Sequence, residues 1–303
     1  MLVLQSEAVD IHSGHLNRGL GLIRLLLAIL AASHLSAAAG TNLAPMIDAH
    51  AHYSLPDAQV LSPDAVLAKL DAARVSRLVV TSSPPQLAQR LYRHAPQRVI
   101  PLLGVYGSDL DKSNWMHDPS LPARVEAWLD EGRWAGIGEL HLFAGDARNP
   151  VFERLVRLAD ARRLVLMIHG DEEVVSRAFE LAPQLRVLWA HLGTQPQPQR
   201  LARMLDRHPQ QLWIDTSVRD ERIAPGGRLL PEWHALFERY PDRFVAAVDT
   251  FSVNRWQQYE AVVGQIRAWT AALPEPLSNN LLHDNAARLF APFLQRGEAA
   301  AVH

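Results

Sequence analysis

Met46-Ile47-Asp48-Ala49-His50-Ala51-His52 is a short apolar run that closes on two histidines separated by one residue. On a β-strand, residues two apart point to the same side, so His50 and His52 are expected to converge on one metal ion while Asp48 supports them from the same face. A lone His-x-His pair is weak evidence, because such pairs also occur on exposed edges. The same kind of ending recurs in Gly136-Ile137-Gly138-Glu139-Leu140-His141, Leu166-Met167-Ile168-His169-Gly170, Leu188-Trp189-Ala190-His191-Leu192-Gly193 and Val245-Ala246-Ala247-Val248-Asp249-Thr250. A carboxylate or imidazole at the end of a buried strand is costly unless it is paired, hydrogen-bonded or bound to a metal. Its repetition along one chain points to a shared site.

Reading outward from the first run, eight strand candidates follow in order: 46–50, 77–82, 99–106, 135–142, 164–169, 186–191, 211–217 and 244–250. Most are continuous apolar runs, as parallel strands covered on both faces require. Amphipathic stretches of helical length separate them, at 62–73, 85–94, 121–131, 150–163, 172–181, 197–207, 231–240 and 256–272. In the first of these, Ser62 is the expected N-cap and Pro63 the first helical residue. Strands alternating with helices give a parallel α/β sheet, and eight such units predict a (β/α)8 TIM barrel. About 264 residues run from Gly40 to His303, close to the ~250 of that architecture. No linker divides residues 40–303, which are read as one domain with a small helical cap at 278–294. The ligand-type residues all fall at the C-terminal strand ends, where barrels of this kind place their sites. Trp189 and Trp213 are expected in the core.

The chain is 48% hydrophobic and 20% charged with a formal net charge of -2, a soluble globular composition without a nucleic-acid footprint. It has no cysteine, which excludes disulfides, thiolate metal sites and cysteine nucleophiles. Any metal must therefore use His, Asp and Glu, a donor set suited to Zn²⁺ or a similar divalent ion. In residues 1–39, Arg18 and Arg24 precede the apolar Leu25-Leu26-Leu27-Ala28-Ile29-Leu30-Ala31-Ala32, and Ala37-Ala38-Ala39 follows. This reads as a signal peptide cleaved after Ala39, with an apolar run shorter than the ~20 residues of a spanning helix. A periplasmic or secreted protein is expected, with no stable membrane span after processing and a small-molecule substrate as its partner.

Taken together, Asp48-Ala49-His50-Ala51-His52, Glu139, His169, His191 and Asp249, in this order, resemble the amidohydrolase superfamily, and in particular the amidohydrolase-2 family of metal-dependent barrels. The closing Asn285-Ala286-Ala287-Arg288-Leu289-Phe290 resembles that family's C-terminal signature. The resemblance implies that His50, His52 and Asp249 bind a buried metal and that His169 is a further ligand. It implies that His191 either binds a second metal or polarises the substrate. Glu139 stands where some members have a carboxylated lysine and TatD-like nucleases have a bridging glutamate; it either bridges two ions or lies beside one.

The chemistry of the residues agrees with that picture. A cation held by imidazoles and one or two carboxylates, with a position open, brings the pKa of its water toward ~7, and Asp249 can take the proton and pass it on. Asp249 and His191 are thus the catalytic candidates, and Arg219 can hold a substrate carboxylate bidentately or pair with Asp220 or Glu221 at the surface. His141 faces the site or lies behind it, and Tyr53, Tyr106 and Trp115 are candidate pocket residues. His94, His208, His234 and His283 fall on helices or their ends, where a solvated or hydrogen-bonded role is expected. The expected function is metal-dependent hydrolysis of a small amide, ester or lactone, with one or two ions. The alternatives are a non-oxidative decarboxylase or hydratase of a carboxylated substrate, and a TatD-like nuclease, which the missing basic stripe disfavours.

Overall fold

The computed structural model describes residues 45–300, so the expected leader lies outside the described residues. Eight parallel strands follow one another round a single sheet: β1 (Met46–His52), β2 (Val75–Thr81), β3 (Val99–Leu103), β4 (Gly136–Leu142), β5 (Val165–Gly170), β6 (Arg186–Trp189), β7 (Leu212–Asp215) and β8 (Phe244–Val245). The barrel closes between its first and last strands, where the Ala49 N–H donates to the Ala246 carbonyl at 3.1 Å and the Asp249 N–H to the His50 carbonyl at 2.8 Å. This is the (β/α)8 barrel expected from the sequence.

Alternation of side chains across the strands separates two cores. Ile47, Val79, Ile100, Met167, Leu188 and Val245 fill the interior, together with Ala286, Leu289 and Phe290 from the C-terminal helical segment. Leu78, Val80, Leu166, Ile168, Val187 and Ile214 face the surrounding helices. The closing motif has a structural task here, since Asn285 Nδ2 donates to the Phe244 and Pro241 carbonyls at 2.7 and 3.0 Å. Trp189 and Trp213 are both buried. Pro63–Ala72 is helical and Ser62 caps it by accepting from the Ala65 N–H. The stretch expected as one helix at 256–272 is instead two, Val253–Gln257 and Tyr259–Thr270. A further short helix, Leu55–Val60, follows β1 directly.

Strands β6, β7 and β8 stop short of the expected 191, 217 and 250. At or just past those ends the backbone leaves the extended region: His191, Val218 and Asp249 have φ of 61°, 53° and 56°. Apolarity persists through those stretches while the backbone turns, so hydrophobic pattern alone overextends them.

Asp48 differs from expectation. Pairing of β1 with β2 shifts register between Asp48 and Ala51, and this irregularity breaks the two-residue alternation. Asp48 therefore turns toward the helical layer, where Tyr259 Oη donates to its Oδ2 at 3.0 Å. Its Oδ1 accepts from the backbone N–H of Val248 at 2.9 Å and of His50 at 3.3 Å. It pins the β8 end to β1 and does not reach the histidine rings. Burial pushes its carboxyl up to about 7, although these donors pull the other way.

Candidate metal centre

Glu139, at the middle of β4, is the centre of the arrangement. It follows Gly138, whose φ of 141° and close approach to Met167 leave no room for a Cβ, and Thr81 Oγ1 donates to the Gly138 carbonyl at 2.6 Å. Each oxygen of the Glu139 carboxylate faces a different group of donors.

Oε2 faces His52 Nε2 at 3.3 Å and His50 Nε2 at 3.6 Å, and those two nitrogens lie 3.1 Å apart. Asp249 Oδ1 completes the group, 3.4 Å from His52 Nε2 and 3.7 Å from His50 Nε2. A tetrahedral site with ligands at 2.0–2.1 Å has edges of roughly 3.3 Å, and the five separations straddle that length. Asp249 Oδ1 is buried without a hydrogen-bond partner, a costly condition that a cation relieves.

Oε1 faces His169 Nδ1 at 2.9 Å and His191 Nε2 at 3.0 Å. All six residues expected to bind metal, His50, His52, Glu139, His169, His191 and Asp249, are thereby brought together. His169 is the most accessible of them, and its side chain is 31% exposed.

The ring orientations follow from Asp215, at the end of β7. Its Oδ2 lies 3.1 Å from His50 Nδ1, and its Oδ1 accepts from Ser217 Oγ at 2.5 Å and from the backbone N–H of Ser217 and His191, each at 3.0 Å. Burial would raise this carboxyl, yet His50, His191 and Ser217 hold it down at about 2. An ionised carboxylate only accepts, so His50 carries its proton on Nδ1 and presents the Nε2 lone pair to His52, Glu139 and Asp249. Ser217 Oγ spends its hydroxyl hydrogen on the Asp215 hydrogen bond, so the same oxygen accepts from His191 Nδ1 at 2.8 Å. The His191 Nε2 lone pair is then aimed at Glu139. Lone pairs and carboxylate oxygens facing each other need a positive charge between them. Against the lowering effect of burial, the surrounding carboxylates raise His50 well above its ordinary range and His191 above it, which shows how strongly the centre favours positive charge. The donor set thus fits a divalent ion.

Asp215 and Ser217 were not among the expected site residues. The signal was present, since Leu212-Trp213-Ile214-Asp215 is another apolar run ending in a carboxylate.

The flanking residues divide. His141 stacks on His169 with ring centroids 4.4 Å apart, and its Nε2 is 3.6 Å from Glu139 Oε2. Tyr106 Oη meets its Nδ1 at 3.0 Å and accepts its backbone N–H at 2.8 Å, while Trp115 Nε1 donates to its carbonyl at 2.9 Å. Burial pushes His141 down to about 3, which keeps it neutral. Tyr53 does not line the site; its hydroxyl donates to the Leu61 carbonyl at 2.5 Å. Arg219 is half-buried, and its Nε donates to the His191 carbonyl at 3.0 Å. It makes no ion pair with Asp220 or Glu221 among the described residues; Asp220 instead accepts from Trp269 Nε1 at 3.0 Å. His94, His234 and His283 pair with Asp64, Glu238 and Asp284, and His208 stacks on Phe179, all away from the centre.

The sequence model of the amidohydrolase family matches residues 47–291. No curated protein matches the chain. Among solved structures, the chain is similar to two proteins provisionally named as 2-pyrone-4,6-dicarboxylic acid hydrolases. One, from Pseudomonas putida, is 19% identical with a TM-score of 0.56 over 82% of this chain and 98% of that one. The other, from Acinetobacter baumannii with citric acid bound, is 14% identical with a TM-score of 0.54 over 81% and 99%. An amidohydrolase from Burkholderia multivorans with bound zinc is 16% identical, with a TM-score of 0.52 over 82% and 99%.

Proposed function

The chain belongs to the amidohydrolase family, and on that premise we propose that it is a metal-dependent hydrolase adding water to a small amide, ester or lactone. The observation that carries this reading is the pair of donor groups on the two oxygens of Glu139, one of which includes the unpartnered Asp249 Oδ1. His50, His52, Glu139 and Asp249 would hold one divalent ion, for which zinc is the proposed identity, and His169 and His191 would hold a second through the other oxygen of Glu139. Such an ion supplies an activated water near neutral pH and polarises a carbonyl.

The protein's own groups do the rest. Asp249 would give Oδ1 to the ion and keep Oδ2, which lies 3.9 Å from His191 Nε2 inside the centre, to accept a proton from water and return it to the leaving group. If only one ion is held, His191, fixed by Ser217 and by the Asp215 bond to its backbone, would instead carry a proton on Nε2 and stabilise a developing negative charge on the carbonyl oxygen. Among the described residues the hydrogen bond of Arg219 is the one from its Nε to the His191 carbonyl, which would leave both terminal nitrogens for a substrate carboxylate.

That last feature also favours a second reading, decarboxylation or hydration of a carboxylated substrate. The two separate in one experiment: metal analysis of the purified protein, then a panel of lactones, esters, amides and carboxylated aromatics assayed in ¹⁸O-water. Hydrolysis incorporates the label into the product acid. Release of CO₂ without incorporation overturns the hydrolase reading, and His50→Ala/His52→Ala retaining full metal content overturns the metal assignment.

A further inference from the structure

Among the described residues, four large apolar side chains stand more than half in water: Leu55, Val60, Phe143 and Phe251, at 52–61% exposure. Their placement is not scattered. Leu55 opens and Val60 closes the helix that begins three residues after His52, Phe143 directly follows β4 and lies two residues after His141, and Phe251 lies two residues after Asp249. Each segment leaves the C-terminal end of a strand that carries the metal centre. The helix Leu55–Val60 packs against Val253–Gln257, so Leu55, Val60 and Phe251 belong to one side of the mouth. Phe143 follows β4, four strands round the barrel from β8, which is the opposite side. Its ring stands edge-on to His169, with centroids 6.3 Å apart at 79°.

A chain that buries nearly all its other large apolar groups among the described residues has no folding reason to leave a phenyl ring exposed after β4 and another after the β8 end, on opposite sides of the mouth. We propose that Phe143 and Phe251 form a specificity clamp for a flat apolar ring in the substrate, so that the enzyme acts on lactones or esters bearing an aromatic or similar hydrocarbon ring. The clamp rests on the hydrolase reading for its chemistry. Rings offset or edge-on to such a substrate gain both from the water they release and from aromatic geometry. Arg219, at the β7 side, adds a grip for an anionic substituent.

The test compares dihydrocoumarin, a benzo-fused lactone, with δ-valerolactone, which lacks the benzo ring, on the metal-loaded protein. The wild type is expected to prefer dihydrocoumarin in kcat/KM. Phe143→Ala and Phe251→Ala should each reduce that preference about tenfold, the effect of uncovering part of one ring, and Phe143→Leu should recover most of it. Benzoate binding by calorimetry, against acetate, reads the clamp without turnover, and the same variants should weaken it about tenfold. Unchanged preference and unchanged benzoate binding in both alanine variants overturn the clamp even if the lactones are hydrolysed. Benzoate binding with the expected dependence, but no hydrolysis of either lactone, supports the clamp and overturns the hydrolase reading. Conversion of a dimeric wild type to monomers by the same substitutions assigns the rings to self-association and also overturns the clamp.

Discussion

Asp249 combines two properties that are costly in a folded protein: a positive φ of 56° and a buried carboxylate oxygen with no partner. Non-glycine residues in that conformation persist where the surrounding structure over-determines them, and they gather at functional sites. Asp249→Asn keeps the shape and removes the proton acceptor. Its turnover, measured with metal content verified, is expected to fall by roughly 10²–10⁴; near-full activity with metal bound removes Asp249 from proton transfer. Asp215 acts one step further out, through His50 on one oxygen and Ser217 and His191 on the other. Partners of metal-bound histidines set ring orientation and basicity, and their loss typically weakens affinity about 10–100-fold. Asp215→Asn should show that drop in a chelator competition, a readout that does not depend on catalysis. The residue types of the centre were legible because apolar runs lead up to them, although Glu139 stands at the middle of β4 and not at its end, whereas the role of Asp215 depends on partners in β1 and in the turn after β6, and those contacts exist only in the closed barrel. Arg219 is a similar case: its bond to the His191 carbonyl depends on a left-handed turn over His191 and Leu192, of which Gly193 is the one sequence signal.

At the scale of elements, the same left-handed geometry also appears where nothing catalytic is required. Arg163 follows the helix Pro150–Ala161 with φ of 56°, and the Leu164 N–H returns to the Ala159 carbonyl at 2.8 Å, the closure that usually employs glycine. Its side chain is exposed, and its carbonyl, which accepts from Arg186 Nη2, survives substitution. Arg163→Gly is therefore expected to raise stability by about 0.5–1 kcal/mol in equilibrium denaturation, relief of the left-handed strain being partly offset by chain entropy. A loss of stability would show that the arginine side chain has a role of its own.

Strand β1 supplies a pH-dependent counterpart. Asp48 is raised from 3.8 to about 7, chiefly by burial. Between those values the folded state holds a proton that the unfolded state lacks, so stability falls as pH rises through that window and the loss is complete above it. In chelator-treated protein, thermal midpoints should decline from about pH 4 to 7 on this account, and Asp48→Asn should flatten the slope. An unaltered slope would mean that Asp48 is already ionised in the fold. This face of β1 could not be read in advance, because strict alternation placed Asp48 beside His50 and His52 and only the register shift moved it to the helical side.

For the molecule as a whole, alternation of eight apolar runs with eight helical stretches was enough to predict the barrel, because the closed sheet satisfies every such run in the same way. Strand ends were less readable, since apolarity continues past the point where the backbone turns. The leader proposed for residues 1–39 adds a prediction about the mature chain. N-terminal sequencing of protein recovered from the periplasm or medium is expected to begin at Gly40, and recovery with residues 25–35 intact from the cytosol would exclude export.

The seam between β8 and β1 has a kinetic consequence. β8 is two residues long, so side chains supplement the backbone bonds of Ala49 and Asp249 in closing the seam: Val248 N–H on Asp48 Oδ1, and Thr250 Oγ1, which both accepts from the His52 N–H and donates to the His52 carbonyl at 2.8 Å. These partners are separated by 198–200 residues of sequence, so their loop closures are among the longest in the barrel and among the slowest to be rewarded during folding. His50 and His52 stand on one bank of that seam and Asp249 on the other. The proposed ion site is complete only once that seam has shut, so the uptake of a divalent ion during refolding is expected to report the moment of barrel closure.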